Sequence, residues 1–303
     1  MSGIVLLVPA LMVVVLALVV TACVALAVRP RDDFSIAREW RWVRWSRLLG
    51  IALGVLIAVL LVSHPSFATG GIGTMIAPAG FGLGALLGVA AGETIVRAPR
   101  PVGPRTASLQ RRSAAAYLPR PTSYAVATGL ALLVATLVLT TLTAQSDGYL
   151  GDGRAIGCQA GNIAQSHSPY PGSFYAVPLA IVLGVVLATA AVAAVSVVRR
   201  PRGLATTDAG DDQLRTRSMT VIVAAVGIAV GTSLTGIAGT AAAGLLSLGA
   251  GCAPAWMPVA GWLLIPTAII GLGLAAWCLV RLFVDDSLTS AGATPAQATA
   301  EHA

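Results

Sequence analysis

The chain has 303 residues, of which 56% are hydrophobic and 10% are charged. An ordinary soluble domain carries about 25% charged residues. A chain this apolar, with a mean hydropathy of +0.85, cannot cover its surface with polar groups, so the composition excludes a soluble globular protein. The net charge is +7, and all 19 basic residues are arginines, because there is no lysine.

Seven apolar segments are candidates for helices that cross a bilayer, which takes about 18 residues or more, and the second is the shortest. They are 4–28, 48–64, 72–95, 123–144, 174–198, 218–240 and 258–283. The sixth is followed by an apolar extension, 241–250, which either continues the helix or re-enters the membrane. The sequence therefore predicts an all-α, polytopic bundle over 1–284, with spans two to seven grouped as three hairpins, and a disordered tail at 285–303.

The arginines fall almost entirely into alternate loops. The segments 29–47, 96–122 and 199–217, together with Arg281, hold 18 of the 19 arginines. The other loops hold only Arg154. Because cytoplasmic loops are enriched in Lys and Arg, this asymmetry predicts a plasma-membrane protein with its N-terminus outside and its C-terminus inside.

The first span could instead be a processed signal. Val20–Cys23 fits a loose lipoprotein pattern, in which Cys23 would be lipidated. A signal peptide, however, has a basic start and a short apolar core, whereas Met1–Gly3 carries no basic side chain. We expect an uncleaved anchor.

The stretch REWRWVRWSR, at 38–47, precedes the second span. Tryptophan favours the membrane interface, and arginine pairs with anionic headgroups. The stretch lacks the clean faces of an amphipathic helix and is tethered at the bilayer, so it does not favour nucleic acid as a partner. It is predicted to be an interfacial anchor formed by Trp40, Arg41, Trp42, Arg44, Trp45 and Arg47.

Two features mark the third span. Four glycines lie four residues apart, on one helix face, where small residues allow helices to pack closely in lipid: Gly80, Gly84, Gly88 and Gly92. Packing within the bundle is expected, and a homodimer contact or a substrate groove are the alternatives. Glu93 follows, with Arg97 four residues later in the order that favours a helical ion pair. A cytoplasmic-side proton or cation site is the alternative.

Two of the four cysteines lie between predicted spans. Cys158 and Cys252 fall in two outer loops, where an oxidising exterior permits a disulfide, and we expect them to pair. The longest outer loop, 145–173, contains Asp147, Asp152 and His167, but without metal-ligand spacing. No metal or other cofactor is predicted, and the common nucleotide and hydrolase motifs do not occur.

The inner segment Gly92–Pro101, followed by Gly103–Leu109 and Tyr117–Pro119, resembles a segment of multi-pass integral membrane proteins of actinobacteria. The resemblance covers about 30 residues. It implies no activity, because none is established for that group, but it implies that the segment from Glu93 to Pro119 is more than a spacer. The candidate functional residues are therefore Glu93, Arg97, Arg100 and Arg105.

Three functions remain open. A non-enzymatic structural, accessory or regulatory role fits the scarcity of ionisable residues within the predicted spans, with anionic lipid on the inner face and a membrane-protein partner or second copy as partners. A small-molecule or lipid transporter would need a polar cavity. An enzyme acting on lipid, using Glu93 and nearby arginines, is least favoured. Seven hydroxyls could line a cavity: Thr136, Thr140, Thr141, Thr232, Ser233, Thr235 and Thr240.

Overall fold

A computed structural model describes residues 37–95, 114–146, 148, 151–200, 208–249 and 251–283. Within these ranges the protein is a helical bundle, as the sequence predicts, and six of its helices are long and apolar enough to cross a membrane. The helices are α1 (Ala37–Ser63), the short α2 (Pro65–Ala68), α3 (Ile72–Ile95), α4 (Arg120–Thr143), α5 (Ser173–Arg199), α6 (Asp208–Ser247) and α7 (Trp256–Phe283).

Two helices extend well beyond the predicted spans. α1 begins at Ala37 rather than near residue 48, and α6 begins at Asp208, within the predicted loop 199–217. Hydropathy detects only the apolar part of a helix, whereas backbone hydrogen bonds continue into polar sequence. The apolar extension after residue 240 continues α6 to Ser247. The predicted first span, 4–28, and the tail, 285–303, lie outside the described residues.

α3 and α6 form the centre of the bundle. In their most apolar stretches 72% and 89% of the residues are buried, against 28–33% in α1, α4, α5 and α7. A helix that is apolar all round belongs inside a bundle. The other four helices carry large exposed apolar side chains, such as Leu142 and Val192, on the surface that would face lipid.

The helices pair unequally. α1 packs along α3, and α6 packs along α7, so the first and third of the three predicted hairpins are closely packed units. α4 and α5 are consecutive but barely touch each other. α4 packs against α6 and α7, whereas α5 packs against α3 and α6.

Glycines sit where helix backbones come into direct contact. The glycine ladder of α3 faces α1: a methyl group at Gly50 would lie 2.6 Å from the Cα of Gly88, and one at Gly84 would meet Gly54. On the other side of α3, a methyl group at Gly82 would collide with Ala229 of α6. Bare backbone therefore lets α3 approach both neighbours closely.

One end of the bundle carries a β-hairpin that sequence analysis did not predict. Strands β1 (Ile156–Ala160) and β2 (Ile163–His167) pair antiparallel around Gly161, whose φ of 57° suits glycine. The hairpin lies between α4 and α5. Its short strands alone would be marginally stable, so its attachment to the helices matters.

Candidate functional site

A buried cluster surrounds Glu93 at the arginine-rich end of the bundle. Glu93 lies near the end of α3, one turn beyond the contact between Gly88 and Gly50. That contact brings Arg47 of α1 close, so that its guanidinium lies 3.9 Å from one carboxylate oxygen. The side chains of Arg47 and Glu93 are only 6% and 8% exposed. We call Arg47, Glu93, Arg200 and Ser218 the Glu93 cluster.

The second carboxylate oxygen of Glu93 binds two further groups. Arg200, directly after α5, donates from Nη1 at 3.3 Å, and the Ser218 hydroxyl of α6 donates at 2.5 Å. The carboxylate therefore connects α1, α3, α6 and the end of α5. A buried charge requires pairing and hydrogen bonding of this kind, since its desolvation is costly.

Arg47 also bonds the end of the last helix. Its Nη1 donates to the backbone carbonyl of Leu282, at 3.0 Å. The final carbonyls of a helix lack partners within the helix and attract cations. Arg47 thus joins α7 to the cluster.

A second layer of charge adjoins the cluster. Arg215 of α6 is 1% exposed, and its Nη2 donates to the carbonyl of Arg200 at 3.0 Å. Its guanidinium lies over the ring of Tyr117, 5.9 Å from the centroid, and the Tyr117 hydroxyl donates to Asp212 at 3.1 Å. Through Arg200 and Arg215, the two ends of the segment from Glu93 to Tyr117 are connected.

The structure gives Glu93 partners that sequence analysis did not predict. The sequence predicted Arg97, which lies outside the described residues together with Arg100 and Arg105. The observed partners lie 46 and 107 positions away in the chain, and no local spacing signals such contacts. Sequence analysis therefore missed Arg200 and Ser218.

The residues expected to form the interfacial anchor separate into two groups. Trp42 and Trp45 are 60% and 59% exposed on the outside of α1, whereas Arg47 is 5% exposed inside the bundle. Arg47 is held there because Glu93 and the end of α7 satisfy its guanidinium. The side chains of Trp40, Arg41 and Arg44 lie outside the described part of the chain.

The opposite end of the bundle is held by a disulfide. Cys158 of β1 pairs with Cys252, in the loop between α6 and α7, as the sequence predicted. Next to it, the backbone N–H of Gly249 donates to the side chain of Gln165 at 2.6 Å. The hairpin is therefore fastened to the α6–α7 loop.

Buried polar groups lie beneath the hairpin. Tyr170 is 2% exposed and shares a hydrogen bond of 2.9 Å with Thr143. Burial raises the pKa of Tyr170, and the hydrogen bond partly offsets that rise. Burial also lowers the pKa of His167. The guanidinium of Arg154 lies 5.1 Å from the centroid of the Phe174 ring.

Most of the hydroxyls that a transport cavity would use are bonded within their own helices. Five threonines donate to the carbonyl four residues earlier: Thr136, Thr140, Thr232, Thr235 and Thr240. The hydroxyl of Ser233 is buried without a hydrogen-bond partner among the described residues. The described part of the chain contains no group of His, Cys, Asp and Glu able to hold a metal ion.

Comparison with known proteins adds no functional assignment. No known protein family, curated protein or solved structure matches the chain. The functional argument therefore rests on the geometry of the bundle.

Proposed function

We propose that the protein is a non-enzymatic membrane protein with a structural, accessory or regulatory role, in which a rigid helical bundle supports the loops at its two ends. The observation that carries the proposal is the use of Glu93. This carboxylate is buried, and its oxygens are engaged by Arg47, Arg200 and Ser218.

An ion-coupled transporter or a lipid enzyme uses ionisable groups differently. Charged residues in membrane spans are costly and are normally retained because they line a pathway or react. Glu93 instead joins four helices. The five threonines donate to backbone carbonyls of their own helix, and Thr232 and Thr235 also lie within hydrogen-bond distance of carbonyls of α3 and α7. Both features favour a bundle with one arrangement over one that alternates between two.

The proposal keeps the orientation expected from the arginines, with the Glu93 cluster at the cytoplasmic side of the plasma membrane. Anionic headgroups and a membrane-protein partner or second copy remain the expected partners. Reporter fusions at Arg105 and Asn162 test this orientation. Reporters on opposite sides of the membrane support it, and reporters on the same side contradict it.

Distance measurements between spin labels test the rigidity of the bundle in lipid vesicles. At the arginine-rich end, labels replace the exposed Arg199 and Gln213; at the disulfide end, they replace the exposed Ser63 and Ala164. The proposal predicts one narrow distance distribution at each end. Protein without introduced cysteines provides the control for labelling of native cysteines.

A transporter predicts a different pattern in the same experiment. Alternating access would give two populations at each end, with one end closing as the other opens. Two such coupled populations in the native protein would overturn the proposal.

A further inference from the structure

One face of α1 has no helix packed against it in the described structure. Six large apolar side chains occupy this face at spacings of three or four residues, and each is 39–65% exposed. They are Trp42, Trp45, Leu49, Leu53, Leu56 and Leu60, which we call the α1 stripe. A spacing of this kind follows the 3.6-residue helical period, so the stripe runs along a single face for the length of the helix.

α1 also differs from the other peripheral helices in its neighbours. α4, α5 and α7 each pack against two other long helices, whereas α1 packs along its length against α3 alone within the described ranges. The glycines Gly50 and Gly54 lie on the side toward α3. The stripe lies away from that side and is free to receive another element.

We propose that residues 4–28, the predicted first span, pack antiparallel against the α1 stripe. The segment contains 25 residues without a charge, enough to cross the hydrocarbon core. It is also tied to α1 by a short connection, because only residues 29–36 lie between it and Ala37.

The length of the connection agrees with this position. Eight residues span about 28 Å at most. The apolar stretch of α1 begins at Trp45, eight residues after Ala37, which is an axial distance of about 12 Å. A neighbouring helix lies about 8–10 Å to the side. The connection therefore reaches a helix placed directly beside α1.

The sequence of the segment complements the stripe. Ala10, Ala17, Thr21 and Ala25 would share one face of a helix, since their spacings are seven, four and four residues. Small residues on one helix allow the large side chains of another to pack closely in lipid. A face of small residues opposite tryptophan and leucine is the pairing expected here.

Cysteine cross-linking in native membranes tests the proposal. If Val28 and Trp45 lie at the same depth, antiparallel packing places Ala17 at the depth of Leu56. Ala17 lies eleven residues before Val28, and Leu56 lies eleven residues after Trp45. The test protein carries Ala17→Cys and Leu56→Cys in a Cys23→Ala background, with a protease site introduced between residues 29 and 36. A cross-link keeps the two fragments together after cleavage.

Two matched pairs make the result interpretable. Val19→Cys with Leu56→Cys has nearly the same depth, but Val19 lies about 200° around a helix from Ala17. Met75→Cys with Thr240→Cys, in a protein whose protease site lies between residues 96 and 113 instead, joins α3 to α6, where the native side chains lie 4.0 Å apart. This pair sets the yield for true neighbours. We expect the Ala17 pair to cross-link with a yield near that of the neighbour pair and about fivefold above that of the Val19 pair.

Every other result overturns the proposal. Equal yields for Ala17 and Val19 would mean that the segment is tethered without packing. If the Ala17 pair does not cross-link while the neighbour pair does, the α1 stripe faces lipid instead. Dimers formed by Leu56→Cys alone would show that a second copy of the chain covers it.

Discussion

Different kinds of interaction stabilise the two ends of the bundle. At the arginine-rich end, Glu93 forms noncovalent contacts with Arg47, Arg200 and Ser218. At the other end, the disulfide between Cys158 and Cys252 fastens a β-hairpin to the α6–α7 loop. The first depends on balanced buried charge, and the second depends on an oxidising environment.

Because of this difference, the two ends should respond to different perturbations. A buried ion pair becomes costly when one partner is lost, because the remaining charge is unpaired. A disulfide is indifferent to charge but sensitive to reductant. The two ends can therefore be perturbed independently, and each perturbation should leave the other end intact.

The largest effect is expected from Glu93→Ala. This change leaves Arg47 and Arg200 buried without their carboxylate, so we expect a loss of about 3–5 kcal/mol in the free energy of unfolding. Unfolding in mixed detergent micelles measures it. Asp152→Ala provides the control: Asp152 is exposed, so the loss of its carboxylate should cost less than about 1 kcal/mol. Equal losses for the two variants would contradict the structural role of Glu93.

A smaller loss, about 2–4 kcal/mol, is expected when the disulfide is removed by Cys158→Ser with Cys252→Ser. The bridge joins positions 94 residues apart, and its loss frees the hairpin from the α6–α7 loop. Thermal unfolding with and without reductant measures the effect. Reductant should destabilise the native protein and leave the double variant unchanged. A native protein insensitive to a reductant shown to have cleaved the bridge would refute this account.

The next largest effect on stability is expected from the close packing of α1 against α3. Gly88→Ala places a methyl group against Gly50 and Ser46, at the contact that brings Arg47 to Glu93, and overpacking of this kind costs about 1–3 kcal/mol. Gly239→Ala is the matched variant, because a methyl group there meets no atom within 4 Å. It should change stability by less than about 1 kcal/mol. The unfolding midpoints of the two variants measure these losses. A Gly239→Ala variant that loses as much stability as Gly88→Ala would contradict the close packing of α1 against α3.

The smallest effect concerns pH at the hairpin. Burial lowers the pKa of His167 below its ordinary value of 6.5, so the unfolded chain takes up a proton before the folded one does. Stability should therefore fall as the pH drops below about 6.5 and level off below the folded pKa. Hydrogen exchange of the hairpin amides, measured from pH 7.5 to 5, should show this loss in the native protein and less of it in His167→Gln. An unchanged pH profile in the variant would exclude His167 as the source.

The spans were largely predictable, because membrane crossing demands long apolar segments that hydropathy reports directly. α3 begins and ends at the predicted residues, and α5 and α7 differ from prediction by one or two positions. The polar ends of α1 and α6 were missed, since helix continuation through Arg- and Asp-containing sequence depends on tertiary contacts. The disulfide was predictable because only two of the four cysteines, Cys158 and Cys252, lie between predicted spans.

The Glu93 cluster was predictable only in part. Glu93 stood out as an acidic residue beside a span, but Arg47 and Arg200 approach it through helix packing that the sequence does not display. The β-hairpin was missed for a related reason. Its strands are short, and they are held by Gln165 and Cys158 contacts to a distant loop rather than by a strong local pattern.

The coupling between Glu93 and Arg200 tests the central claim, that this carboxylate holds the bundle together, most directly. The measurement is a double-mutant cycle on the free energy of unfolding, using Glu93→Gln, Arg200→Gln and the double variant. The account predicts a coupling free energy above about 1 kcal/mol, because the two side chains interact at 3.3 Å in a buried site. Additive effects, equal within about 0.5 kcal/mol, would contradict it.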